Sequence, residues 1–180
     1  MAVAARTLEQ VEQVAGEIAA GFNLKALPVA CDVSDPASVE QMYAKVYEVF
    51  GRGPDILVNN AGIAESAPLT KTDNDLWHRH LAVNLSGTFY CTRAAIPQMI
   101  ERGWGRVINI ASIAGKTGAP YIVAYSASKH GVLGLTRSAA IQMAKDMAFA
   151  AEQRGDSVEL LIQGYYGDMS RKLTGGTDDD

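Results

Sequence analysis

Three short apolar runs limit what this chain can fold into. Leu27-Pro28-Val29-Ala30-Cys31, Ile56-Leu57-Val58 closing on Asn59, and Val107-Ile108-Asn109-Ile110-Ala111 each have the length of a strand. Segments long enough for helices lie between them. A near-continuous Val/Ile/Leu run suits a strand covered on both faces, and strands alternating with helices build a parallel sheet. The expected fold class is therefore α/β.

Local signals fill in the elements. Residues 1–5 read as a short buried strand. Thr7-Leu8-Glu9-Gln10 has the form of a capping box and opens a helix to about residue 20. A strand over 27–31 follows. Asp35 caps a helix with Pro36 at its first position, ending near 50–51. The strand at 55–59 leads into a loop containing Gly62 and Pro68. Helical stretches come next over 75–81 and 85–101, then a strand over 106–111 and a helix that carries Tyr125 through the 140s.

Ligands of open α/β sheets bind beyond the carboxyl ends of the strands, where this pattern delivers Ser112. Tyr125 and Lys129 stand four residues apart, and Ser112 precedes the tyrosine by thirteen. Positions i and i+4 of a helix share a face, which sets the lysine ammonium beside the phenol. A positive charge there favours phenolate and suits the tyrosine to proton transfer. Ser112 can hydrogen-bond a substrate oxygen and hold it against the phenol. Alone, a Tyr-x-x-x-Lys pair is more often an ordinary helix pair; its company decides.

That company is Asn59-Asn60-Ala61-Gly62, Asn84, Ser112, Tyr125 and Lys129, in that order. Together they resemble the signature of the short-chain dehydrogenase/reductase family, in its 3-oxoacyl-thioester-reductase form. The similarity is clear over residues 1–146, with 147–180 divergent. The resemblance implies a single domain over 1–180 with a Rossmann-like doubly wound parallel sheet. It implies an NAD(P)-dependent oxidoreductase exchanging hydride with a secondary alcohol or ketone. Tyr125 would be the acid or base, Lys129 its activator and a ribose contact, Ser112 the orienter of the substrate oxygen. Asn84 would anchor a water feeding a proton relay. Asn60, Ala61 and Gly62 would line the cofactor side of the sheet, and Asp32 with Val33 would meet the adenine. Asp32 is equally a good helix-entry residue ahead of Ser34-Asp35-Pro36, and both readings stand.

The chain departs from the family at both ends. No strand is followed by the Gly-rich turn whose N–H groups hold a pyrophosphate. In strand order 3-2-1-4-5-6 the strand before that turn is central, so its absence would divide the sheet in two. Residues missing from this sequence, a truncated form, or another segment in that place would each account for it; the first is preferred. Near the other end, Val158-Glu159-Leu160-Leu161-Ile162-Gln163-Gly164-Tyr165 is a candidate sixth strand, with Gln163 in place of the family's proline. Tyr165, Tyr166, Met169 and Leu173 are candidates to line a substrate-covering loop, and a weakly ordered tail is as good a reading.

An acidic residue ending the family's second strand selects NAD; here that place holds Ala5 followed by Arg6. An arginine offers a charge-assisted contact to a 2′-phosphate, so NADP(H) is favoured over NAD(H). Apolar residues that could face outward are Ala94, Ala95, Ile96 and Met99 on one helix, and Val132, Leu133, Leu135 and Ile141 on another. In the family the helices bearing Asn84 and Tyr125 pair with a second subunit, which implies a homo-oligomer.

A net charge of −4 without a basic run gives no reason to expect nucleic-acid binding. Cys31 and Cys91 read as buried free thiols, and their spacing makes no metal site. His78, His80 and His130 read as surface or interface residues, and no metal is expected. With no signal segment and no long apolar span, the cytoplasm is the default and no membrane is involved. A second reading keeps the fold but not the chemistry: a catalytically inactive binding or oligomerisation scaffold lacking the phosphate-binding turn.

Overall fold

The computed structural model describes residues 1–153 and the backbone of 154, 162–163 and 168–169. Its strands are β1 (Ala2–Ala5), β2 (Leu27–Ala30), β3 (Ile56–Asn59) and β4 (Arg106–Asn109). They alternate with helices α1 (Leu8–Phe22), α2 (Pro36–Phe50), α3 (Asn74–His80), α4 (Gly87–Arg102) and α5 (Val123–Arg154). This is the α/β order the apolar runs predict.

The sheet lies in two parallel pairs. β1 pairs with β2, and β3 with β4, Asn59 standing opposite Asn109. Among the described residues no strand joins the pairs, and apolar side chains there stay open: Ile56 is 51% and Val58 53% exposed. Two separate pairs match the divided sheet expected above.

What spans the two pairs is a helical core. Val39 and Tyr43 of α2 meet Cys91, Ala95 and Met99 of α4 and Met143 of α5. Cys31 beyond β2, Leu57 of β3 and Val107 of β4 close the same cluster, so it touches both halves of the sheet. Met99 is wholly buried, and truncating such a side chain costs about 3 kcal/mol. Tyr43 donates its hydroxyl to Cys91 O at 2.9 Å, and burial pushes its phenol above the ordinary value.

Several expectations need correction. Thr7 sits at the cap of α1, but its side chain makes no cap bond; no capping box forms. Asp35 does cap α2, accepting from Ala37 N–H at 3.0 Å, with Pro36 in the first turn. The stretches around Asn84 are continuous, joined by a π-helical turn over Leu81–Ser86 in which Gly87 N–H reaches back to Ala82 O. α5 runs on to Arg154 because Met143, Met147 and Ala151, spaced by four, are all buried. Ala95, Met99 and Val132 are likewise buried, not turned outward; Ile141 is 59% exposed.

Near the C-terminus, β5 (Ile162–Gln163), within the candidate sixth strand, pairs antiparallel with β6 (Asp168–Met169). The rest of that candidate strand, Tyr165, Tyr166, Leu173 and the Met169 side chain lie outside the described residues.

The turn after β4 is clamped onto α5. Residues Ile113–Gly115 form a single 3₁₀ turn, and Ser126 donates its hydroxyl to Ala114 O at 2.8 Å. A Cβ at Gly115 would lie 2.8 Å from Lys129 O and 3.0 Å from its carbon, both backbone. Gly115→Ala is therefore expected to force turn and helix apart and to cost about 2 kcal/mol. Denaturant unfolding of the variant measures this; unchanged stability would show that the contact has slack.

Candidate active site

The C-terminal ends of β3 and β4 are knitted to the helices by amides. Asn59 donates to Thr92 Oγ1 at 3.0 Å and to Asn109 Oδ1 at 2.9 Å. Asn109 passes the chain on to Thr136 Oγ1 at 2.9 Å. Beyond β3 the chain leaves through Asn60 and Ala61, both exposed, to Gly62.

Asn84 receives it. Its side chain is fully buried, accepting from Ile63 N–H at 2.8 Å and donating to Ile63 O at 3.0 Å and to Ser128 Oγ at 2.9 Å. Ser128, also fully buried, donates in turn to Tyr125 O at 2.7 Å. The Asn84 carbonyl accepts from Thr88 Oγ1 at 2.8 Å. The amide thus binds the loop after Gly62 to the helix carrying the tyrosine. Its π-helical setting, which places it inward, is a local distortion frequent at functional sites.

Lys129 is 5% exposed, and its ammonium donates to Ile110 O at 2.7 Å. It lies 5.8 Å from the centre of the Tyr125 ring. A Cβ at Gly62 would stand 3.2 Å from Asn84 Oδ1 and 3.7 Å from Lys129 Nζ, so a side chain there would crowd the amide and line the ammonium. Burial lowers the Lys129 pKa. Ser112, half-buried and extended, accepts from Ala114 N–H at 3.2 Å and caps the turn clamped to α5. Gly62, Asn84, Tyr125 and Lys129 are thus brought together, with Ser112 held against the same helix.

Arg6, Asp32 and Val33 belong to the other strand pair. Asp32 Oδ1 accepts from Ser34 Oγ at 2.7 Å and from Ser34 N–H at 2.9 Å. These bonds, helped by the exposed Arg6, lower its pKa. The local turn-capping role of Asp32 is therefore present. Val33 packs on α4: a Cβ at Gly87 would come within 2.7 Å of its Cγ2.

Cys31 and Cys91 are buried free thiols as expected; burial raises Cys31 and pushes Cys91 up to about 12. The reading of the histidines holds for His78 and His130, which are exposed, and fails for His80, which is wholly buried. His80 accepts from Glu65 N–H at 3.0 Å and meets the Tyr125 ring edge-on. Sequence reading missed His80, Ser128 and the Asn59–Asn109 bridge. The last had a visible signal, an asparagine closing each of two neighbouring strands.

The chain belongs to the short-chain dehydrogenase family, whose model matches residues 1–149. It is 40% identical to a D-beta-hydroxybutyrate dehydrogenase of Rhizobium meliloti, covering 87% of this chain and 57% of that protein. It is 38% identical to a 3-oxoacyl-acyl-carrier-protein reductase of Aquifex aeolicus, covering 76% of this chain and 54% of that one. Its structure is similar to sorbitol-6-phosphate 2-dehydrogenase from Erwinia amylovora, with a TM-score of 0.76 at 38% identity over 81% of this chain and 57% of the other. The chain spans little more than half the length of these relatives.

The buried lysine makes a prediction. In the unfolded chain Lys129 titrates at its ordinary 10.5; in the folded chain its pKa is lower. The unfolded state therefore holds the proton over a wider range, and the burial penalty eases as pH climbs towards 10.5. Unfolding free energies of wild type and Lys129→Met, compared across that alkaline range, should shift in favour of wild type as pH rises. The opposite slope would contradict the burial account.

Proposed function

We propose that this chain carries the catalytic part of an NADP(H)-dependent oxidoreductase acting on a secondary alcohol or ketone. The observation that carries the reading is the buried Lys129 beside Tyr125. An ammonium has three donors, and among the described residues one is taken, by Ile110 O. The corner opened by Gly62 leaves the others free for the hydroxyls of a ribose. A nicotinamide dinucleotide fits that donor set, and when bound it supplies or accepts the hydride.

The chain's own residues handle the proton. In reduction, the Tyr125 phenol donates its hydrogen to the carbonyl oxygen as that oxygen becomes an alcohol; in oxidation, the phenolate takes it back. Lys129 favours the phenolate by its charge, and Ser112 orients the oxygen. Asn84 holds the loop that walls the site and, as in the family, would anchor a water feeding the relay. Asn60 and Ala61 would flank the cofactor beside Gly62, with Asp32 and Val33 towards the adenine and Arg6 on a 2′-phosphate. Exposed Phe89, Ile141 and Phe149 on α4 and α5 support a homo-oligomer. Two buried free thiols suit the cytoplasm.

Tyr125→Phe is expected to abolish NADPH-dependent reduction of acetoacetyl-coenzyme A while leaving NADPH binding intact; undiminished turnover would remove the phenol from the mechanism. A purified wild-type protein that binds neither NADPH nor NADH would favour the inactive scaffold, a reading consistent with the divided sheet.

Arg6→Asp should move preference from NADPH towards NADH, read from the two dissociation constants. An unchanged ratio would take Arg6 out of cofactor selection.

A further inference from the structure

We propose that His80 is a positioning residue for Tyr125, a neutral imidazole that fixes the phenol ring and the adjoining loop to each other. The functional half of this inference rests on Tyr125 being the proton-transfer group proposed above. His80 has no exposed surface, and both of its ring nitrogens are bonded. Nδ1 lies 2.8 Å from Leu76 O, which can only accept, so Nδ1 carries the hydrogen. Nε2 receives the Glu65 N–H at 3.0 Å, so it carries the lone pair. The partners leave one tautomer, neutral and protonated at Nδ1. They also set the ring plane, because each is a backbone atom on a different segment.

The imidazole and the phenol ring meet edge-to-face, with ring centres 6.4 Å apart and planes at 80°. This is the favoured edge-to-face geometry of aromatic pairs. Among the described residues no protein group bonds the Tyr125 hydroxyl, so packing sets where the phenol points. His80 supplies one face of that packing, and the Lys129 ammonium another at 5.8 Å.

The same imidazole is the middle of three fasteners on the loop. Ile63 N–H goes to Asn84 Oδ1 at 2.8 Å, Glu65 N–H to His80 Nε2 at 3.0 Å, and Ala67 N–H to Tyr121 O at 2.8 Å. Alternate amides are held as a neighbouring strand would hold them. His80 and Asn84 stand four residues apart, as do Tyr121 and Tyr125. His80 touches both the loop and the tyrosine ring. An apolar side chain in its place would fill the space but free Glu65 and let the phenol turn.

The first test needs neither substrate nor variant. In wild-type protein, ¹⁵N shifts of His80 should report the neutral Nδ1-protonated form, and ring protons of His80 and Tyr125 should show a direct Overhauser effect. Another tautomer, or no such effect, overturns the inference. Kinetics then read its consequence with NADPH and acetoacetyl-coenzyme A. His80→Leu should lower kcat about tenfold with the NADPH dissociation constant unchanged. His80→Gln, whose planar amide can accept from Glu65 N–H, should recover most of the loss. A folded His80→Leu protein with wild-type kcat overturns the inference. A wild-type protein that turns over no carbonyl substrate instead defeats the proposed activity, and the spectra still decide whether His80 fixes the ring.

Discussion

Buried side-chain hydrogen bonds hold the parts of this site together. The buried amide of Asn84 is the central fastener. It makes three hydrogen bonds at full burial, two to the backbone of Ile63 and one to Ser128. Each replaces a bond to water that folding takes away, and leaving any one unmade costs about 1–3 kcal/mol. Remove the amide and both the loop and the start of α5 lose their common anchor. Tyr125, Lys129 and the Gly62 corner take part of their relation from that group, and the rest from His80 and the Lys129–Ile110 bond.

A second layer depends on close approach. Gly87 lets α4 sit on Val33, and Gly115 lets the turn after Ser112 sit on the Lys129 backbone. Both contacts are backbone against neighbour, where a methyl group has nowhere to go. The site's tolerances are therefore set by two hydrogen atoms as much as by the polar groups. The core of α2, α4 and α5 supplies the rigid bed beneath.

Much of this was legible in the residues. The apolar runs located the strands, Asp35-Pro36 the start of α2, and the spacing of Tyr125 and Lys129 put both on one helix. The separation of the strands into two pairs was legible too, since no strand of this sequence is followed by a Gly-rich turn. Other features were not legible because they arise from tertiary contact. Little local marks a histidine such as His80 as buried, since besides Leu76 O its partners are a backbone N–H fifteen residues upstream and a tyrosine ring far downstream. The π-helical turn at Leu81–Ser86, which holds the buried Asn84, has no local signal in its sequence. Thr7 failed in the opposite sense: a good local pattern formed no side-chain bond.

The two cysteines carry a practical consequence. Both sulfurs are shut inside the α2–α4 core, and burial holds their thiols in the protonated, unreactive form. Towards alkylating agents and mild oxidants the folded chain thus presents a silent background. A single cysteine introduced on its surface would be the one reactive sulfur, so a dye, spin label or cross-linker could be attached at a chosen position without first removing the native pair.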